Sequence, residues 1–147
     1  MIIRNFWGFH AEIDETATTE WYMTSKPWEC DCGDCRNFLE LCKRNALPEP
    51  VHAILKELNI APEKSTYVCE IMPKECGHLY QFSYRLAGRI LNKDTEKSMV
   101  TEWGEVRCCH EAYPYGAPGF PTPHFDLEFW ITLPWVLEEQ TGGNEYE

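Results

Sequence analysis

The segment Glu29-Cys30-Asp31-Cys32-Gly33-Asp34-Cys35 concentrates thiols and carboxylates at one point of the chain. Cys32 and Cys35 form a Cys-x-x-Cys pair at a turn leading into a helix, a spacing that lets two sulfurs converge as a zinc half-site or a dithiol requires. A complete zinc site needs two more donors. Cys76 and His78 flank a turn, where backbone can bend toward a metal, so the expected ligand set is Cys32, Cys35, Cys76 and His78, with Cys30 as an alternative ligand. Cys109, His110 and His124 are further candidates. A dithiol catalyst needs a thiolate near neutral pH, yet Glu29, Asp31 and Asp34 surround these sulfurs, and nearby anions raise a thiol's pKa. Arg36 and the helix dipole oppose them. Three readings stand in this order: reduced structural thiols, a zinc centre, and redox or disulfide chemistry.

The other cysteines read as structural. Cys42 shares a helical face with Phe38 and Leu39, and Cys69 falls inside a strand. Cys108 and Cys109 are adjacent in a strand, so their side chains point to opposite faces. His124, Asp126 and Glu128 share one strand face and all three can bind metal; a polar, solvated sheet face is the expectation there. His10 and His52 read as ordinary positions. The chain has no Gly-x-Ser-x-Gly, no Gly-Lys dipeptide, no Gly-x-Gly-x-x-Gly and no His-Glu-x-x-His, so several common enzyme classes lose their sequence signature.

The elements that must position these groups follow from periodicity. DCRNFLELCKRN places Cys35, Phe38, Leu39 and Cys42 at helical spacing, with Asp34 suited to the N-cap and Glu40 and Arg44 four apart. EPVHAILKELN repeats the stripe at Val51, Ile54, Leu55 and Leu58, with Pro50 near its start. STYVCEIM, a PKECG turn and HLYQFSYRLAGRIL then read as strands. SMVTEWGEVRCCHEAY gives one or two more, and YPYGAPGFPTP is too rich in Pro and Gly for a ladder. In HFDLEFWITLP, Phe125, Leu127, Phe129, Ile131 and Leu133 share one face. IIRNFWGFHAEI is expected to be one further strand and WYMTSKPW another. The expected fold class is α+β: an antiparallel sheet of about five to six strands with two short helices packed on it.

The 147 residues carry a net charge of −11, and every Lys and Arg lies between Arg4 and Arg107. An acidic surface repels phosphate, so neither nucleic acid nor an anionic membrane is expected as a partner; a basic protein is. No run of 18 apolar residues occurs. The segment MIIRNFWGFHAEIDE lacks the pattern of a secretion signal, and the expected location is cytoplasmic. Residues 1–140 are expected to form one globular domain, and 141–147, TGGNEYE, a flexible acidic tail. Trp21, Tyr22, Trp28, Trp103, Tyr113, Tyr115, Phe120, Trp130 and Trp135 serve either to fill the core or to line a groove.

WECDCGDCRNFLE and the late FDLEFWITLPWVL give the chain a resemblance to a bacterial family that carries a Cys-x-x-Cys-Arg-Asn-Phe segment, matched by Cys32, Cys35, Arg36, Asn37 and Phe38. The strand running into Leu-Pro-Trp is matched by Leu133, Pro134 and Trp135. The resemblance implies a bacterial single-domain protein and no particular activity. The functional expectation is a binding or interaction protein with an acidic, aromatic-bearing surface and zinc as the candidate metal. The alternatives are an enzyme whose metal is held by Cys or His and carboxylates such as Asp126 or Glu128, and a thiol-redox enzyme working through a Cys32–Cys35 disulfide.

Overall fold

A computed structural model describes residues 1–92, 97–110 and 116–139. The acidic tail, Tyr113, Tyr115 and most of the NKDTEK turn lie outside the described residues. The chain runs β1 (Ile2–Phe6), β2 (Phe9–Ile13), α1 (Glu15–Thr24), α2 (Gly33–Lys43), α3 (Glu49–Glu57), a 3-10 turn (Pro62–Lys64), β3 (Tyr67–Lys74), β4 (Gly77–Ile90), β5 (Met99–Val100), β6 (Glu105–Cys109) and β7 (His124–Leu133). The α+β class and the antiparallel pairing agree with the sequence. The described sheet has seven strands, however, rather than five or six, and three helices rather than two accompany it.

Both differences have local causes. The N-terminal strand is a hairpin, because Trp7 (φ 50°) and Gly8 (φ 83°) both take positive φ, the requirement of a tight turn whose twist matches its strands. The supposed strand at WYMTSKPW instead begins inside α1. Asp14 caps this helix, its Oδ1 accepting the N–H of Ala17 at 3.0 Å. Four threonines and an adjacent Trp-Tyr pair mask the helix in a propensity reading; the Asp14-Glu15 start was its signal.

β4 is the spine of the sheet. One of its edges pairs with β7 over His78–Ala87, while the other serves β3 near its start and β2 near its end. Gly88 (φ 140°) permits that second crossing: a Cβ there would lie 1.9 Å from the carbonyl oxygen of Glu12. Tyr80, Phe82, Tyr84 and Leu86 face the core with Phe125, Leu127, Phe129, Ile131 and Leu133, as their alternation foretold. Fully burying one such large apolar side chain contributes about 1.5–3 kcal/mol. Phe38 of α2 meets Phe82 at a centroid distance of 4.9 Å, which seats α2 on this face.

The opposite face departs from the expected solvated surface. Gln81, Ser83, Arg85, Asp126 and Glu128 are all buried. Charges survive there because they are paired: Arg85 Nε lies 3.0 Å from Asp126 Oδ1, and Arg107 Nε lies 2.7 Å from Glu128 Oε1. Trp130 Nε1 also donates to Glu128 at 2.7 Å. Burial is the main influence raising the pKa of Asp126, with Arg85 opposing it. Cys108 and Cys109 do point apart, Cys108 toward the apolar core and Cys109 to within 4.0 Å of Glu128.

Candidate metal centre

The N-terminus of α2 gathers three thiols. Cys32, rather than Asp34, caps the helix: its Sγ accepts the backbone N–H of Cys35 at 3.4 Å. That bond folds the Cys-x-x-Cys segment back on itself and brings the sulfurs together. Cys30 Sγ lies 3.4 Å from Cys32 Sγ, and the sulfurs of Cys30, Cys32 and Cys35 are all within 4.8 Å of one another. Thiolates on one tetrahedral zinc, each about 2.3 Å from the ion, sit about 3.8 Å apart. The cluster can therefore hold a metal ion with small side-chain adjustments.

Donors already address these sulfurs. The indole Nε1–H of Trp28 points at Cys35 Sγ from 3.2 Å, an outer contact of the kind that orients a ligating thiolate. Cys35 is buried while Cys30 and Cys32 are exposed. The buried thiol's pKa is pushed up chiefly by desolvation, with the Trp28 contact opposing it. Cys30 moves the other way: its hydrogen bond with the Cys32 backbone, more than any other influence, draws its thiol below the ordinary value, and Asp31 is the smallest of the opposing effects. The surrounding acids thus weigh less on Cys30 than their number suggests. Arg36 holds the approach to the segment by donating to the Asp31 carbonyl at 2.8 Å and to Glu139.

The four residues expected to share a metal do not all meet. Cys32 and Cys35 come together with Cys30, the residue expected only as an alternative ligand. Cys76 is exposed at the tip of the β3–β4 hairpin and, among the described residues, joins no cluster of ligating atoms. His78 belongs to a separate group with Asp34 and Glu70, whose ligating atoms also lie within 4.8 Å of one another. Asp34 and Glu70 were missed as partners because they converge only when α2 is laid across the β3–β4 pair. Of the other histidines, His10 and His110 are exposed and His124 packs against Phe120. Asp126 and Glu128 face arginines, so a cation at either would have to compete with a guanidinium.

Aromatic side chains serve both of the expected purposes. Trp7 and Trp103 pack on Phe129, while Trp21, Tyr22 and Phe120 form a second cluster. Trp21 and Trp28 also line a cleft of about 470 Å³ with Lys26, Pro27, Ser65 and Pro118. Trp28 is therefore both a wall of this cleft and the hydrogen-bond donor to Cys35. Among the described residues, no helix is long and apolar enough to cross a membrane. No protein-family model, curated protein or solved structure matches the chain.

Proposed function

We propose that this chain is a binding protein organised around zinc, held by the thiolates of Cys30, Cys32 and Cys35, rather than a catalyst. The convergence of the three sulfurs within 4.8 Å at the cap of α2 carries this reading. Zinc favours thiolate donors and four-coordination, and the two exposed cysteines leave the fourth position accessible to water or to a donor from a partner. Bound zinc offsets the cost of ionising the buried Cys35 and fixes the Trp28–Lys26 wall of the cleft.

The partner in this reading is a basic protein. The net charge of −11 steers cations toward the surface, and Glu29 and Asp31 lie exposed beside the thiols. Association with such a partner weakens steeply with added salt. Elemental analysis of protein purified without chelator tests the metal directly. About one thiolate-bound zinc per chain is expected, an equivalent retained by C76S and lost from C32S. Protein that carries no zinc and takes none up under reducing conditions would overturn the reading.

A thiol-redox role is the second reading, favoured by one observation: Cys30 is exposed with a lowered pKa, whereas the neighbouring Cys35 is buried with a raised one. That asymmetry suits an attacking and a resolving thiol. A reversible disulfide within the cluster in metal-free protein, with the Cys30 thiol titrating below its ordinary value, is its expected signature.

A further inference from the structure

The geometry points to a second cation site, distinct from the thiols, in which Asp34, Glu70 and His78 bind a first-row divalent ion through two carboxylates and one imidazole. Asp34 stands in the first turn of α2. Glu70 lies opposite Tyr80 in the β3–β4 register, and His78 lies two residues before Tyr80 on the same strand face. The β3–β4 pairing shifts register between Glu70 and Met72, the kind of irregularity that re-aims side chains beside sites.

Two unpartnered atoms mark this cluster. His78 has a side chain only 8% exposed, yet its Nδ1 makes no hydrogen bond, with Glu70 Oε2 at ion-pair distance, 3.5 Å away. Asp34 Oδ1 is likewise buried without a partner. Buried polar atoms are rarely left in this state, and one cation seated between the two carboxylates and the imidazole would give both atoms a partner. Oxygen and nitrogen donors about 2.0–2.2 Å from one ion lie about 3–4 Å apart, a range that includes the 3.5 Å between His78 Nδ1 and Glu70 Oε2.

The supporting contacts fix the donors without consuming them. Tyr80 donates its hydroxyl to the Asp34 carbonyl at 2.7 Å, leaving the Asp34 carboxylate uncommitted by that bond. The ring of Trp135 packs on His78 at a centroid distance of 5.3 Å. Imidazole with carboxylates suits manganese, iron, cobalt or zinc better than the soft ions that thiolates select. Because the donor sets differ, this site stands independently of the thiol centre.

Cobalt titration of the reduced, metal-free protein separates the two. About two equivalents should bind, one producing a sulfur-to-cobalt charge-transfer band and the other leaving it unchanged. H78Q and E70Q should each weaken the second equivalent more than tenfold while preserving the band; C32S should do the reverse. Near-UV circular dichroism checks that the variants fold, and E70Q, the nearly isosteric change, decides the matter if H78Q does not. Loss of the band alone would count against the thiol centre. A wild-type protein without a second equivalent, or an E70Q protein that keeps it at full affinity, would overturn the second site.

Discussion

Asn37 Oδ1 accepts the backbone N–H of Val136 at 2.8 Å, so a side chain in the middle of α2 completes the hydrogen bonding of the chain just beyond β7. The same amide donates through Nδ2 to the Pro134 carbonyl at 3.0 Å. Asn37 is fully buried, and this two-sided contact acts as a strand partner for a segment that has left the sheet. It fixes α2 along its axis, and with it the Asp34 and Cys35 side chains. The Cys-x-x-Cys-Arg-Asn-Phe segment and the Leu-Pro-Trp segment, remote in sequence, are thus joined by one amide.

Replacing Asn37 by alanine should lower stability by about 2–3 kcal/mol, because it strands a backbone donor and a backbone acceptor at once. N37D should also destabilise, since a carboxylate can accept from Val136 but cannot donate to Pro134. Urea unfolding checks both: the midpoint should fall with little change in slope. A midpoint within error of wild type for N37A would remove the clamp.

The buried Arg85–Asp126 pair gives a larger effect. D126A should cost about 3–5 kcal/mol, because it removes the anion facing a guanidinium whose side chain is 5% exposed. D126N should cost less, since an amide oxygen still accepts from Arg85 and the desolvation of a carboxylate is relieved. Comparing both variants with wild type by denaturant unfolding tests the order as well as the size.

Alkylation should rank the cysteines of metal-free protein by thiolate character and access. Iodoacetamide at neutral pH should label Cys30 first, because it is exposed and its thiol pKa is lowered. Cys42 and Cys108 should be labelled last, since burial raises both and blocks approach. Adding zinc should protect Cys30, Cys32 and Cys35 together while leaving Cys76 reactive. Peptide mass spectrometry after timed quenching reads each position; equal labelling of Cys30 and Cys42 would contradict the assignment.

What the sequence revealed depended on whether a residue's partners were local. The apolar row of β7, the stripes of α2 and α3, and the opposed faces of Cys108 and Cys109 follow from periods of two and 3.6, which are local properties. The convergence of Cys32 and Cys35 was legible for the same reason. Burial of Asp126 and Glu128 was not, because alternation reports which residues share a face but not whether an arginine on the neighbouring strand allows that face to be covered. Asp34, Glu70 and His78 illustrate the same limit. The hairpin turn that nominated His78 also nominated Cys76, and only the seating of α2 on β3 and β4 decides which of them meets a carboxylate.

His52 gives a pH dependence whose sign follows from one contact. The backbone N–H of Leu47 donates to His52 Nε2 at 3.0 Å, so the folded protein uses the neutral ring as an acceptor. Desolvation lowers the folded-state pKa of His52 below its ordinary value. In acid the unfolded chain binds this proton more readily than the folded one, and stability therefore rises with pH across the interval between the folded and unfolded values. Its contribution is complete above the unfolded value of about 6.5 and is lost as pH falls toward the folded value. Wild type should show a larger drop in Tm than H52Q between pH 7.5 and pH 5.5, because the glutamine oxygen still accepts from Leu47 and does not titrate. The difference between the two proteins should be smallest at pH 7.5, where His52 is neutral in both states. Equal slopes for wild type and H52Q would mean that the Leu47 contact carries no part of the acid sensitivity.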